Sequence, residues 1–361
     1  MIRRELAEIR GMVDRVLEND PFPDRIRPGF LRDAVLAYPS RPGKSLRPAL
    51  LVWCCELLGG RREQCPRAAT AVELYHNWTL IHDDIIDRDD TRRGGPSCHR
   101  LIEQSPELEH AGAATAAEFA RNQAMLAGDI LHGWSMDCLL RSAQDGVAPG
   151  VALALGERMS GTLTPLLASG EALDVLFELD PTVPADDVLA MLRLKTATLL
   201  RFAAEAGASI ATGTAGFAEA PVRTAGDFAE AAGMAFQIQD DILGLFGDPE
   251  RLKKPVASDV RAGKPTLLYL EALARAKADD ARELRNALGN ESLTPEGTKR
   301  VREIVRQSGA LEHVRNAAKQ YVTRARTALD TISASPHRER QEACLTALVY
   351  RENELEPVRK S

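Results

Sequence analysis

The sequence predicts an all-α protein, and three observations carry that prediction. Apolar residues recur at helical spacing along most of the chain, with no alternating stretch that would mark a strand. Ala, Leu, Glu and Arg abound while aromatic residues make up only 5%, a balance that favours helix over sheet. Proline and glycine cluster between the periodic stretches, as at 21–29, 39–43, 59–60 and 94–96, where they end helices. Without a repeat, a low-complexity tract or a clear linker, one helical domain over 1–361 is the economical organisation.

Taken in order, residues 1–20 form an amphipathic helix with Ile2, Leu6, Ile9, Met12, Val13 and Val16 on one stripe. PFPDRIRPG (21–29) ends it, and a short helix follows over 30–37. A Pro/Gly turn then leads into an apolar helix that stops at Gly59-Gly60 and carries Lys44 and Arg47 at its start. Helix-start amides and two cations make a plausible phosphate pocket. Taken alone, the pair reads more simply as a basic helix start facing water.

The chain is organised around Val72–Arg93. It packs five aspartates, two histidines and three arginines among Leu74, Leu80, Ile81, Ile85 and Ile86. An unpaired carboxylate in such apolar company is costly. On a helix Asp83 and Asp87 stand one turn apart, roughly 6 Å along the axis. Like charges that close call for a cation, and a hard divalent ion shared with a substrate phosphate is the simplest one. His76 precedes Asp83 by about two turns on nearly the same face, and Arg92 and Arg93 stand at the Gly94-Gly95-Pro96 turn, suited to phosphate oxygens.

Two long Ala/Leu helices are predicted over 112–141 and 150–178, with Gly128, Gly161 and Gly170 as points of close packing or kinking. A helix over 186–211 carries Lys195-Thr196 in apolar surroundings, and a buried lysine wants an anion. The helix over 227–245 bears a second acidic pair, Asp240-Asp241, with Gln237 on the same face. Two acidic helices of this kind suggest a cavity with carboxylates on facing walls. A basic loop follows with Lys254, Asp259 and Lys264, leading into a helix that begins near Lys264. The charged stretch 272–352 reads as outer helices.

The net charge of −6 (46 basic, 52 acidic residues) argues against general affinity for nucleic acid. Six cysteines without CxxC or zinc-finger spacing fit a reducing cytosol better than a disulfide framework. The charged N-terminus lacks a signal-peptide core, and no uncharged run reaches the ~18 residues of a membrane span.

In combination these motifs resemble the trans-type isoprenyl (polyprenyl) diphosphate synthases. Asp83-Asp84-Ile85-Ile86-Asp87 matches the first aspartate-rich motif, DDxxD, and Gly43-Lys44-Ser45-Leu46-Arg47-Pro48 is similar to GKxxRP. Arg92-Arg93-Gly94, Lys195-Thr196, Phe236-Gln237-x-x-Asp240-Asp241 and Gly263-Lys264-x-Thr266 follow in the family's order, so the motif-bearing core spans about 40–270. The resemblance implies antiparallel helices around a deep central cavity, and a homodimer. It implies magnesium, about three ions per site, held by Asp83, Asp87 and Asp240 with Asp84 and Asp241 in support and bound to the diphosphate of an allylic substrate. Arg92, Lys195, Thr196, Gln237, Lys254 and Lys264 would serve that same diphosphate or the carboxylates around it. Lys44, Arg47, His76 and Arg93 would bind isopentenyl diphosphate.

The second aspartate-rich motif departs from the family pattern: Gly244 stands where a third aspartate is usual, and Asp248 could take over. Glu171 replaces the usual glutamine, and Ser45 a frequent basic residue. Chain length in this family is set by bulk beneath the first motif, which points to Tyr75 and Trp78 as a floor and to geranylgeranyl ahead of farnesyl diphosphate as product. The helical wheel alone does not aim Trp78 into a pocket. A class I terpene cyclase is a rival, although its Asn/Asp–Ser–Glu motif is absent. A non-catalytic partner subunit is another, although such subunits typically lack the DDxxD kept here.

Overall fold

A computed structural model describes residues 2–41, 43–180, 182–248 and 256–332. Sixteen helices are formed by those residues. They are α1 (Ile2–Asn19), α2 (Gly29–Ala37), α3 (Leu46–Leu57), α4 (Pro66–Ile86), α5 (Cys98–Glu103), α6 (Ala113–Leu140), α7 (Pro149–Arg158), α8 (Thr164–Phe177) and α9 (Ala185–Leu192). There follow α10 (Thr198–Thr212), α11 (Ala220–Phe246), α12 (Ser258–Ala262), α13 (Leu267–Arg275), α14 (Ala278–Ala287), α15 (Pro295–Gln307) and α16 (Ala310–Asp330). The only sheet among the described residues is a two-residue ribbon, β1 (Thr91–Arg92) antiparallel to β2 (Gly95–Pro96). The fold is all-α, as its composition predicts.

Two helices expected to be continuous contain a π-turn. Met159–Leu163, which includes Gly161, interrupts the stretch expected over 150–178, and Arg193–Ala197 separates α9 from α10. Helical turns of this kind concentrate at functional positions, and the second one carries Lys195 and Thr196. The helix expected near Lys264 begins instead at Leu267, because the Thr266 hydroxyl caps it by accepting from the Tyr269 amide.

The chain forms two compact units. Unit 1 holds residues 2–161 and 202–223, and unit 2 holds 162–201 and 224–332. In unit 1 the buried α4 packs along α6 and against α3 and α1, around Tyr38, Leu50, Leu51, Trp53, Leu74, Tyr75, Ile81, Leu131 and Trp134. Glycine permits the close approach of α6 to α4 and of α10 to α3: a Cβ at Gly128 would lie 2.1 Å from His82 Nε2, and one at Gly207 would lie 2.1 Å from the Leu51 carbonyl oxygen. In unit 2, Val188, Met234, Ile238 and Ile242 pack with Leu268, Leu284, Val301, Ile304 and Val314. No helix among the described residues is long and apolar enough to cross a membrane.

Candidate active site

In unit 1 the site is built by the last turns of α4 and the small ribbon that follows it. Arg93 and Gly94 form the ribbon's two-residue turn with φ of 51° and 76°, the left-handed pair that hairpins of this length require. A non-glycine residue in that region costs about 1 kcal/mol, and here the turn sends two adjacent arginines to different partners. Arg92 reaches the acidic residues, with Nε 2.6 Å from Asp84 Oδ1 and Nη2 3.3 Å from Asp83 Oδ2 and 3.1 Å from Asp89 Oδ2. Arg93 donates to the Tyr38 carbonyl (3.1 Å) and to Glu73 Oε1 (3.2 Å). Gly43 lies against its guanidinium, where a Cβ would stand 3.1 Å away.

Asp84, expected in support of the metal-holding aspartates, has its own partners within the chain. It is wholly buried, and its oxygens accept from the Tyr38 hydroxyl and from Arg92. Burial raises it above the ordinary carboxylate range, although Arg92 and then Tyr38 pull the other way. A carboxylate so enclosed ties α4 to α2 and to the ribbon. Its neighbours Asp83 and Asp87 are half-buried on the last turn of α4.

A basic cluster stands about two turns earlier on the same helix. Arg47 Nη1 donates to His76 Nε2 at 3.0 Å. A guanidinium cannot accept, so this nitrogen carries the lone pair and His76 is neutral. Consistently, His76 is pushed well below its ordinary value, first by burial and then by Arg47, Arg93 and Arg92. Burial lowers even Arg47, to about 10, opposed by Glu73 and reinforced by Arg93. Buried Glu73 is thus the counter-charge behind the cluster, and nothing in the sequence pattern distinguishes it. Lys44 is exposed in the turn ahead of α3.

Beside these residues lies an aromatic group. The rings of Tyr75 and Trp78 are 4.8 Å apart, edge to face, and Trp78 lies 4.6 Å from His132 on α6 and 5.9 Å from His82. Tyr75 and Trp78, the residues expected as a floor, are thus in ring contact, and His132 is a third member of the group that only packing reveals.

Unit 2 gathers a different set. Gly170 lets α8 meet the Arg193–Ala197 turn, since a Cβ there would come within 2.4 Å of the Lys195 backbone nitrogen. That approach places Glu171 Oε2 at 2.8 Å and Asp174 Oδ2 at 2.7 Å from Lys195 Nζ. Lys264 reaches the same Asp174 oxygen at 3.2 Å and Glu178 at 3.8 Å. Burial alone would raise Asp174, but Lys195 and Lys264 override it and hold the carboxyl below its ordinary value. Asp174 is another member that sequence spacing did not single out.

A second chain of contacts runs from Thr196, whose hydroxyl donates to Gln237 Oε1 (3.0 Å), through Gln237 Nε2 to Asp241 Oδ1 (3.0 Å). The other Asp241 oxygen is buried without a hydrogen-bond partner among the described residues. Burial raises Asp241 well above the carboxylate range, and Asp259, Asp240 and Asp174 add to that against the Gln237 amide. Asp240 is half-buried beside it, as is Asp248 just beyond the end of α11. Lys254 lies outside the described residues. An unsatisfied buried oxygen among like charges is an arrangement that a hard divalent ion stabilises. Among the described residues no three His, Cys, Asp or Glu side chains converge as a complete metal cage. An ion here would therefore complete its shell with water or ligand oxygens.

Residues 29–306 match the polyprenyl synthetase family. The chain belongs to that family. It is thus a prenyltransferase, and its relatives are isoprenyl diphosphate synthases. It is 34% identical over 292 residues to a geranylgeranyl diphosphate synthase of Sulfolobus acidocaldarius, covering 81% of each chain. It is 35% identical over 312 residues to a geranylfarnesyl diphosphate synthase of Aeropyrum pernix, covering 86% of this prenyltransferase and 90% of that one. In structure it resembles a Corynebacterium glutamicum geranylgeranyl pyrophosphate synthase complexed with isoprenyl diphosphate and magnesium, with a TM-score of 0.83 at 26% identity over 97% of this chain and 99% of that one.

Proposed function

We propose that this prenyltransferase joins isopentenyl diphosphate to an allylic diphosphate in the presence of magnesium and releases geranylgeranyl diphosphate. The observation that carries the reading is that α4 presents two electrostatically opposite stations. The acidic one is Asp83 with Asp87, and the basic one is His76 with Arg47 and Arg93, roughly 10 Å earlier along the helix axis. Two stations suit two diphosphates, one bound through a divalent ion and one by side-chain cations directly. A cyclase acts on a single diphosphate and would have no use for the second.

In this reading Asp83 and Asp87 hold magnesium for a diphosphate in unit 1, and Asp240 and Asp241 are the magnesium-holding carboxylates of unit 2. When bound, magnesium supplies positive charge that makes the diphosphate a better leaving group. Arg92 in unit 1, and Lys195 and Lys264 in unit 2, are the fixed cations that diphosphate oxygens would meet, so charge developing on a leaving group finds donors at hand. Arg47, His76, Arg93 and exposed Lys44 orient isopentenyl diphosphate. Its double bond attacks the allylic carbon as the C–O bond breaks, and the adduct loses a proton to the departing pyrophosphate. The chain grows toward Tyr75, Trp78 and His132, whose bulk stops it and whose apolar faces exclude water from the cation.

A twenty-carbon product is the one named for the Sulfolobus relative, and the assembled aromatic group supports a short limit. We assign the protein to the cytosol, in keeping with five buried free cysteines among the described residues. A homodimer completes the reading, for which exposed Met125 and Leu126 on α6 offer apolar surface. The test is to incubate the purified chain and magnesium with isopentenyl diphosphate and each of dimethylallyl, geranyl and farnesyl diphosphate, then measure product mass. Twenty-carbon diphosphate is expected. Turnover of an allylic diphosphate without isopentenyl diphosphate, or no turnover by the chain alone, would overturn the proposal.

A further inference from the structure

Arg92 and Arg93 are presented by a ribbon with two residues in each strand. An isolated hairpin is at best marginally stable in water, and Pro96 brings its strand a carbonyl but no N–H. The ribbon therefore takes its shape from what packs on it. One such group is Arg41, in the turn between α2 and α3.

Arg41 Nη1 donates to the Arg92 carbonyl at 3.0 Å and to the Pro96 carbonyl at 2.7 Å, one acceptor on each strand. Both hydrogens of that nitrogen are engaged. The guanidinium lies against the ribbon at Gly95, where a Cβ would stand 2.7 Å from Cζ, and it reaches the Tyr38 ring, with Cζ 5.6 Å from the centroid. The carbonyl at 92 belongs to the peptide that joins the two arginines. Holding it restrains ψ of Arg92 and φ of Arg93, and the latter is the left-handed 51°. The two arginines depend on this hold unequally. Arg92 is tied through its own side chain to Asp83, Asp84 and Asp89. Arg93 bonds to Glu73 and the Tyr38 carbonyl, and of the two it carries the unfavourable backbone angle.

We propose that Arg41 is a positioning residue for isopentenyl diphosphate: it clamps both strands of the ribbon and so keeps the Arg93 guanidinium in the cluster with Arg47 and His76. Arg41 touches no substrate and acts through Arg93. The inference rests on the reading that Arg93 meets isopentenyl diphosphate. Released from the clamp, the peptide between the two arginines relaxes toward an ordinary φ at 93, and the Arg93 guanidinium leaves its place. Arg92, held by three carboxylates, keeps its own.

The experiment measures steady-state kinetics of the full chain, varying isopentenyl diphosphate at saturating farnesyl diphosphate and then the reverse, beside thermal melts without substrate. Arg41→Ala should raise KM for isopentenyl diphosphate roughly 10-fold, the scale of a lost hydrogen bond from a charged group, while kcat and KM for farnesyl diphosphate stay within about 2-fold. Arg41→Lys keeps the charge but ends short of Nη1, so it should behave as Arg41→Ala does, and it decides the matter if the truncation fails to fold. Arg93→Ala should raise the same KM. The double variant Arg41→Ala/Arg93→Ala should be no worse than Arg93→Ala, because the first residue acts through the second. Parental KM in Arg41→Lys, equal rises in both KM values, or additive losses in the double variant overturn the inference. Arg93→Ala separates the two levels. If it raises KM for isopentenyl diphosphate while Arg41→Ala does not, the assignment of Arg93 stands and this inference falls. If Arg93→Ala leaves that KM unchanged, both fall.

Discussion

Unit 1 and unit 2 each carry an adjacent aspartate pair at the end of a long helix, and the protein treats the second member of each pair differently. Asp84 faces a protein cation: Arg92 and the Tyr38 hydroxyl hold its oxygens, and the charge is balanced within the chain. Asp241 faces a neutral amide, Gln237, and further carboxylates, and one of its oxygens has no hydrogen-bond partner among the described residues. Identical dipeptides thus become a structural tie in one place and an unbalanced charge in the other. The difference lies in what neighbouring helices bring to each pair. A sequence that shows only the same dipeptide twice conceals that asymmetry.

The comparison breaks most visibly in turnover. Asp83→Ala and Asp240→Ala should each lower turnover on the order of 10²–10³-fold, the scale of lost transition-state electrostatics, with melting temperatures near the parent's. Isoprenoid products counted from labelled isopentenyl diphosphate would check it. Asp248→Ala should cost much less, and equal, negligible losses at 240 and 248 would remove unit 2 from the reaction.

Stability separates the second members. Asp84→Ala leaves Arg92 and Tyr38 facing an empty buried position and should destabilise by about 3–5 kcal/mol. Asp241→Asn removes one of several crowded like charges and should cost within about 1 kcal/mol. Urea denaturation of both variants reads the contrast, and equal losses would show that the two pairs are alike after all.

Smaller effects sharpen the picture. Trp78→Ala opens the aromatic group beside Tyr75 and His132 and should shift products upward by about one or more five-carbon units, read by mass. An unchanged distribution would place the floor elsewhere. Glu171→Gln takes one of two carboxylates from Lys195 and should lower KM for the allylic diphosphate ~3-fold, the ~0.6 kcal/mol scale of a partly exposed pair.

The smallest is a pH slope. His76 is depressed in the folded protein, so above its ordinary value of 6.5 it contributes no pH dependence. Below 6.5 the unfolded chain takes up a proton that the folded chain refuses, and stability falls with falling pH, by at most about 1.4 kcal/mol per unit for one group. His82, His99 and His132 are depressed in the same direction, first of all by burial. His76→Asn should therefore make the slope between pH 6.5 and 5 shallower without abolishing it, as thermal melts across that range would show.

Much of this was legible from residue order alone. Helix content, the two acidic helices, the arginine pair, Lys195-Thr196 and Gln237 ahead of Asp240 all follow from periodicity, from the cost of charge in apolar sequence and from motif spacing, because each is a property of neighbours within a few turns. Which aspartate is satisfied, and by whom, is not such a property. Tyr38 lies 46 residues from Asp84, and Lys264 lies 90 from Asp174. Glu73 and His132 look like ordinary helix residues until packing sets them against Arg93 and Trp78. A helix fixes what stands on its own face, but the electrostatic state of a buried carboxylate depends on whatever the rest of the chain carries to within a few ångströms. Tertiary structure alone decides that.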